Sequence, residues 1–397
     1  MGTTLDTYRT LGRSGLRVSP LSLGTMTFGA DWGWGADKDE ARKIFDTYLD
    51  RGGNFIDTAS QYTDGSSEQL LGEFTADNRE SLVLATKYTM LRRPGDPNSG
   101  GNHRKSMFAS VEASLRRLNT DYIDLLYLHA WDFLTPVEEI LRAMDDLVRA
   151  GKVLYVGISD APAWQISRMQ TIADLRGWSP LIALQIEYSL IERTVERELI
   201  PMATELGLGV IPWSPLGSGV LTGKYTRADL ADEASASPAG SRKNVAAASG
   251  ALTGRGLAIA DVVGAVAGEL GRSPAQVAIA WTLRNPGVAS PIVGARTAAQ
   301  LEDNLGALDV EFDAAQLARL ERASAIELGF PHDFLARPMA RQVVFGDLRI
   351  EGAAWGVAVV SRSRARLGSA PRHPVAVSVH VNQRTDPPSG VVAADDR

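Results

Sequence analysis

The chain has 397 residues, 44% of them hydrophobic, with 41 Lys plus Arg against 47 Asp plus Glu and a formal net charge of −6. That balance argues against a bulk nucleic-acid binder, which carries a basic stripe, and the absence of cysteine removes disulfide frameworks, Cys-ligated zinc, iron–sulfur clusters and thiol nucleophiles together. The opening residues lack a basic and apolar leader pattern, and no run reaches the ~18 apolar residues of a membrane span, so a soluble, cytoplasmic protein is expected.

Residues 8–20 hold two short extended pieces around Gly12-Arg13-Ser14-Gly15, which is hairpin chemistry. A first core strand follows at 21–25. Residues 37–51 have Ile44, Phe45, Tyr48 and Leu49 at helical spacing. Strands are expected at 54–57, 82–87, 123–129, 153–159, 181–188, 209–213 and 288–293. The intervening helices are placed at 67–75, 104–118, 136–150, 162–175, 195–206 and, as two stretches, 255–284. Two more helices, at 297–307 and 313–325, close the pattern.

Eight apolar strands, each followed by a helix, spell a parallel sheet with helical crossovers. Eight repeats over about 300 residues favour a closed (β/α)8 TIM barrel. An open doubly wound sheet is the rival, although no G-x-G-x-x-G follows the first strand. Two stretches break the alternation. Residues 227–253 are rich in Ala, Ser and Gly and suggest a mobile flap over the barrel mouth. Residues 352–397 have one aromatic, Trp355, and suggest a disordered tail. The barrel domain is therefore assigned to 1–350 and the tail to 351–397.

In a parallel barrel the strands' carboxyl ends open on one face, where chemistry sits. Asp57 ends the second strand with Tyr62 just beyond it, Lys87 ends the third, and His129 ends the fourth. Taken singly, Asp57 reads as a turn residue, Tyr62 as packing, Lys87 as a surface lysine and His129 as a satisfied core histidine. Their joint occurrence on three consecutive strands points to function. A free tyrosine, with a pKa of about 10, is a poor acid at neutral pH. A neighbouring ammonium would lower that value. Asp57 would hold Lys87 charged, Lys87 would acidify Tyr62, and His129 would orient a substrate oxygen. With no cysteine and no metal-ligand cluster, an organic cofactor must supply electrons.

Asp57, Tyr62, Lys87 and His129, in this order, resemble the catalytic tetrad of the aldo-keto reductases, NAD(P)H-dependent (β/α)8-barrel enzymes. Gly24-Thr25-Met26, Gly157-Ile158-Ser159, Leu184-Gln185, Ile211-Pro212-Trp213-Ser214-Pro215-Leu216 and Pro291-Ile292-Val293-Gly294 carry the same resemblance, which spans roughly residues 8–348. The bacterial members similar to potassium-channel beta subunits are the nearest subgroup in pattern.

The resemblance implies cofactor contacts at Gly24, Thr25, Met26 and Asp57. It places Ser159 and Gln185 on the nicotinamide carboxamide and stacks Trp213 on the ring. Ser214, Leu216, Gly217, Gly219 and Lys224 match the pyrophosphate loop, and Gln300 and Asn304 match the adenosine end. Asp160 stands where the family has Asn, and a carboxylate cannot donate as an amide does. After the eighth strand, Gly294 leads through Arg296 and Thr297 into a helix. A clamp there on a 2′-phosphate favours NADP(H) over NAD(H).

Trp32, Trp34, Trp131 and Phe133, exposed on loops, join Tyr62 and His129 as the substrate surface for small apolar or aromatic carbonyls. The expected function is NADPH-dependent reduction of aldehydes or ketones with Tyr62 as general acid. No metal, nucleic acid or membrane partner is expected, and the oligomeric state is open. The alternatives are an NADP(H)-binding accessory subunit with slow redox-sensing chemistry and, more weakly, a barrel lyase or isomerase using Lys87 as a Schiff base.

Overall fold

Strand and helix alternate from residue 22 onward, and each strand is buried along nearly its whole length because helices cover the sheet. The structure is a computed structural model that describes residues 3–231 and 242–348. Two short antiparallel strands come first, β1 (Arg9–Thr10) and β2 (Arg17–Val18). Eight parallel strands follow: β3 (Ser22–Gly24), β4 (Phe55–Asp57), β5 (Val83–Tyr88), β6 (Ile123–Leu128), β7 (Val153–Ser159), β8 (Leu181–Glu187), β9 (Gly209–Trp213) and β10 (Ile292–Gly294). Their order in the sheet is β10-β3-β4-β5-β6-β7-β8-β9. A parallel bridge between Val210 and Val288 joins the two ends, with Val210 N donating to Gly287 O at 3.0 Å and Ala289 N to Val210 O at 2.9 Å. The barrel is therefore closed and the open-sheet rival is excluded.

Period-two alternation explains the layering. Ile56, Leu84, Leu126, Val156, Leu184 and Val210 point outward to the helices, while Phe55, Ala85, Leu125, Tyr127, Ala183 and Ile211 form a separate cluster in the lumen. Leu11 and Val18 of the hairpin, fully buried, pack into that cluster. Gly12 makes this plug possible: its φ is 54°, and a Cβ there would lie 2.3 Å from Ile182 O. The hairpin thus seals the end opposite the strands' carboxyl termini.

Around the barrel lie α1 (Lys38–Asp50), α2 (Ser66–Phe74), α3 (Arg104–Leu118), α4 (Val137–Arg149), α5 (Ala163–Arg176) and α6 (Leu199–Leu206). They continue with α7 (Arg227–Ala231), α8 (Arg242–Ala248), α9 (Gly254–Leu270), α10 (Pro274–Thr282), α11 (Ala298–Leu305) and α12 (Ala314–Ser324), and end in α13 (His332–Leu335) and α14 (Pro338–Phe345).

Three boundaries depart from expectation. The helix expected over 195–206 splits into a 3-10 turn at Thr194–Glu196 and α6, because Pro201 has no N–H to continue an earlier helix. The eighth strand begins later than residue 288, at Ile292, since Pro291 cannot donate to a ladder. Within the expected flap, the described residues form α7 and α8, and Ala246 is buried against Val220, Ala251 and Leu257. The rest of that flap, 232–241, lies outside the described residues, as does the expected tail at 351–397.

Candidate active site

The lumen-facing positions change from apolar to polar at the carboxyl end of the strands. Asp57 follows Phe55 by two residues, Lys87 follows Ala85, His129 follows Tyr127, Ser159 follows Gly157, Gln185 follows Ala183, and Trp213 follows Ile211. The same alternation that fills the lumen with Phe, Tyr and Ile therefore aims these six side chains at one opening.

At its floor, Lys87 and Asp57 are 0% and 1% exposed. Lys87 Nζ donates to Asp57 Oδ1 at 2.5 Å, to the Thr58 carbonyl at 2.8 Å and to the Tyr62 hydroxyl at 3.2 Å. All three protons of the ammonium are accounted for. Gln185 Nε2 donates to the other Asp57 oxygen at 2.8 Å. The Tyr62 and His129 rings meet edge to face with centroids 6.1 Å apart. The four residues joined by sequence reasoning are thus in one site.

Their protonation follows from burial and partners. Burial disfavours the Lys87 ammonium, but Asp57 and Tyr62 more than offset it, so its pKa stands above the ordinary lysine value. Burial raises the Asp57 pKa, against the opposing pull of Lys87 and Gln185. His129 falls to about 3, chiefly by burial and then by repulsion from Lys87, so its imidazole is neutral at pH 7. Tyr62 corrects a sequence expectation. Lys87 does act to lower its pKa, but burial outweighs it and Asp57 opposes it, leaving the phenol above 10. The hydroxyl is therefore a held, neutral donor rather than a preformed phenolate.

The residues expected to hold a cofactor line the same opening. Ser159 is 1% exposed, and its buried Oγ lies near enough to the Asp160 carboxylate to hold that group's pKa down without making a well-formed hydrogen bond; a buried hydroxyl of this kind suits a carboxamide. Trp213 is half-buried, and its indole N–H donates to Asp160 Oδ1 at 3.1 Å. Asp160 thus accepts where an amide would donate; burial raises its pKa and the Trp213 bond opposes that rise. Thr25 donates through N and Oγ1 to the Asp57 carbonyl at 3.0 and 3.1 Å, and Met26 is half-buried beside it. Gly24 leaves no room for a side chain, with Ile292 Cγ2 2.5 Å from a hypothetical Cβ.

Ser214, Gly217, Ser218 and Gly219 all have positive φ (53°, 54°, 54° and 90°), and Ser214 Oγ accepts from Ser218 N at 3.0 Å. The amides of Gly217, Ser218 and Gly219 are spent within the turn, on Ser214 O, Ser214 Oγ and Leu216 O, so the glycines serve close backbone approach. Leu216 lies between them, and the ammonium of Lys224 folds over Gly219, 2.7 Å from where a Cβ would be.

At the amino end of α11, where the resemblance placed the adenosine, the helix amides are largely spent. Gln300 Oε1 accepts from Arg296 N at 2.9 Å, Glu40 Oε1 accepts from Ala298 N at 2.8 Å, and Thr297 Oγ1 accepts from Gln300 N at 3.2 Å. Asn304 is 5% exposed, with its amide donating to Gly294 O at 3.3 Å. The Arg296 side chain is exposed beside this helix start.

Around the mouth, Trp32 and Trp34 pair with centroids 5.8 Å apart, and Phe133 is 75% exposed. Trp32, Trp34 and Trp131 were expected to be exposed, but Trp32 and Trp34 are half-buried, and Trp131 is only 9% exposed because it packs into the core beside Val137 and Ile140. One residue not singled out from the sequence belongs here. Glu187 follows Gln185 on the same face of β8, and its pKa is pushed up to about 7 by burial, Glu192 and Asp160. The alternation from Ala183 through Gln185 carries that signal, since Glu187 is the next residue on the same face.

A closed eight-stranded parallel barrel with a buried ion pair against a phenol at the strands' carboxyl end is the architecture of a barrel enzyme. Comparison with known proteins gives the particular family. A model of the Aldo/keto reductase family matches residues 20–325, and the chain belongs to that family. It is 39% identical to an aryl-alcohol dehydrogenase of Pestalotiopsis microspora, covering 83% of this chain and 85% of the relative. It is 40% identical to a norsolorinic acid reductase of Emericella nidulans, covering 81% and 82%. An aldo-keto reductase of Aspergillus calidoustus is 36% identical over 83% and 85%. The family generally uses a nicotinamide cofactor, and the chain is an oxidoreductase. Among the described residues no helix is long and apolar enough to cross a membrane.

Proposed function

We propose that the protein is a cytoplasmic NADPH-dependent reductase of aromatic aldehydes or ketones, with Tyr62 as proton donor. The observation that carries this reading is the Tyr62 hydroxyl at 3.2 Å from a fully buried lysine that is itself paired to Asp57. NADPH, when bound, supplies the hydride to the carbonyl carbon. Ser159 and Gln185 would hold its carboxamide, Trp213 its ring, the 214–219 loop with Lys224 its pyrophosphate, and Arg296 its 2′-phosphate. His129, neutral, donates a hydrogen bond to the carbonyl oxygen. Tyr62 gives its proton to that oxygen as negative charge develops there. Lys87 stabilises the resulting phenolate until solvent returns a proton. The aromatic mouth and the names of the relatives, an aryl-alcohol dehydrogenase and a norsolorinic acid reductase, support an aromatic substrate.

Cofactor choice rests on Arg296. Arg296→Ala is expected to weaken NADPH binding by about tenfold, the low end for losing a charged hydrogen bond, and to leave NADH within twofold. Quenching of tryptophan fluorescence reads both affinities; equal losses would place the 2′-phosphate elsewhere. Screening aromatic aldehydes for NADPH oxidation separates a reductase from an accessory subunit, because only the reductase turns over appreciably.

The pH dependence has a definite expected form. With its pKa near 3, His129 contributes no titration of kcat between about pH 5 and 8. An inflection near 7 is expected from Glu187. Glu187→Gln should remove it, and its persistence in that variant would return the titration to the histidine.

A further inference from the structure

Tyr62 sits on a segment whose backbone is under strain. It opens a 3-10 turn, Tyr62–Gly65, in which Thr63 has φ 48° and Asp64 φ 55°. A β-branched residue with positive φ persists only when its surroundings hold it there. Thr63, fully buried, is held by Oγ1 donating to Phe28 O at 2.6 Å and accepting from Ser67 N at 3.1 Å. These contacts fix the far side of the turn. The near side, where the phenol must meet Lys87, is fixed by something else.

We propose that Glu68 and Arg117, an ion pair of a buried carboxylate and a half-buried guanidinium outside the catalytic opening, are positioning residues that set the distance between the Tyr62 hydroxyl and Lys87; this rests on Tyr62 as the proton donor. The pair completes a closed circuit of bonds. Glu68, on α2, is 0% exposed and accepts from Thr86 Oγ1 at 2.6 Å. Thr86 is covalently joined to Lys87 on β5. The Lys87 carbonyl accepts from Ser60 N at 3.1 Å. The Ser60 carbonyl accepts from Arg117 Nη2 at 3.1 Å. Arg117, on α3, returns through Nε to Glu68 Oε2 at 2.7 Å. Both polar groups of the Ser60 peptide are therefore committed, one to the lysine's own backbone and one to the guanidinium. Tyr62 lies two residues further on, and its N–H is bonded to Ala59 O at 3.1 Å.

The fit is close on the other flank too. Gly65 has φ 99°, and a Cβ there would lie 3.0 Å from Arg117 Cδ. The stem of the arginine thus fills the space under the turn while its fork spans two acceptors. Lysine, with a single nitrogen, cannot reproduce that fork. A fully buried glutamate is costly to maintain unless every oxygen is bonded, and here each oxygen is. An apolar pair of the same size would pack these helices without this expense. What the ions add is a fixed attachment of the Ser60 carbonyl to the strand that carries Lys87.

The test compares Arg117→Lys, which keeps the charge opposite Glu68 but loses the fork, with the charge-free pair Glu68→Gln/Arg117→Met, which removes the risk of an unpaired buried charge. Full-length protein is assayed with NADPH and 4-nitrobenzaldehyde, alongside Tyr62→Phe, with thermal melting to establish that each variant is folded. The expected result in both folded pair variants is a fall in kcat of at least tenfold. KM and the NADPH dissociation constant should stay within twofold, and the basic limb of the kcat profile should move to higher pH as the phenol escapes the field of Lys87. A merely structural pair would lower the melting temperature and leave that limb in place. Native kcat and an unmoved limb in a folded variant overturn the proposal. If Tyr62→Phe itself retains turnover, the proton-donor reading falls and this proposal falls with it. If Tyr62→Phe is inactive while the pair variants match the native enzyme, only the positioning role is lost.

Discussion

Tyr62→Phe is expected to lower kcat by at least two orders of magnitude while NADPH affinity stays within twofold. The substitution removes one oxygen from a half-buried ring and leaves the edge-to-face contact with His129 intact. Neither His129 nor Lys87, the two groups that join Tyr62 in the site, can replace the lost proton. His129, with a pKa of about 3, is neutral at pH 7, and its remaining N–H can donate a hydrogen bond but is far too weak an acid to give up its proton. Lys87 has all three protons engaged and a pKa above its ordinary value. General acid catalysis contributes about 10²–10⁴ in rate, so the loss should fall in that range. Steady-state assay with an aromatic aldehyde checks the rate, and fluorescence titration checks the affinity. Turnover within a few-fold of native would remove Tyr62 from the reaction.

Lys87→Met should damage both stability and turnover. It leaves the Asp57 carboxylate buried, with Gln185 as its remaining side-chain donor. Breaking a buried pair from one side costs about 3–5 kcal/mol, which lowers the melting temperature of a barrel this size by roughly 10 °C. The sign of the pH dependence follows. In the variant Asp57 holds a raised pKa, so above the unfolded value the folded protein binds more protons than the unfolded chain, and stability falls as pH rises. The deficit should therefore narrow toward pH 5 and widen toward pH 8. Adding Asp57→Asn to Lys87→Met should recover most of the melting temperature and none of the activity. A single variant that melts like the native protein would show that the pair does not govern the charge at this site.

Much of this was legible in the chain because it is carried by period. Strand residues two apart share a face, so Ala85-Thr86-Lys87 announces a lysine at the end of a buried lumen row, and Leu125, Tyr127 and His129 announce the histidine beside it. Parallel packing then makes neighbours of strands far apart in sequence. The barrel's closure was not legible in that sense. It depends on Val210 meeting Val288, and only the repeat count and the family resemblance pointed to it. Burial was also hidden. Trp131 looks like a loop tryptophan in the sequence, yet its ring is taken into the core by α4. The direction of the Tyr62 shift turned on the same unknown: a lysine partner is visible in the sequence, but the desolvation that outweighs it is not. Charged groups that act through others were least visible. Glu68 and Arg117 occupy helix positions with no motif, and only the fold brings them to Ser60.

The central claim is that a phenol held beside a buried ammonium delivers the proton in the step that reduces the carbonyl. Its most direct test is the single-turnover rate of NADPH oxidation by 4-nitrobenzaldehyde, in water and in deuterium oxide, for native protein and Tyr62→Phe. The account predicts a fast native step that slows in deuterium oxide, and a variant slower by at least a hundredfold. A variant that keeps the native rate and the native solvent isotope effect would contradict it.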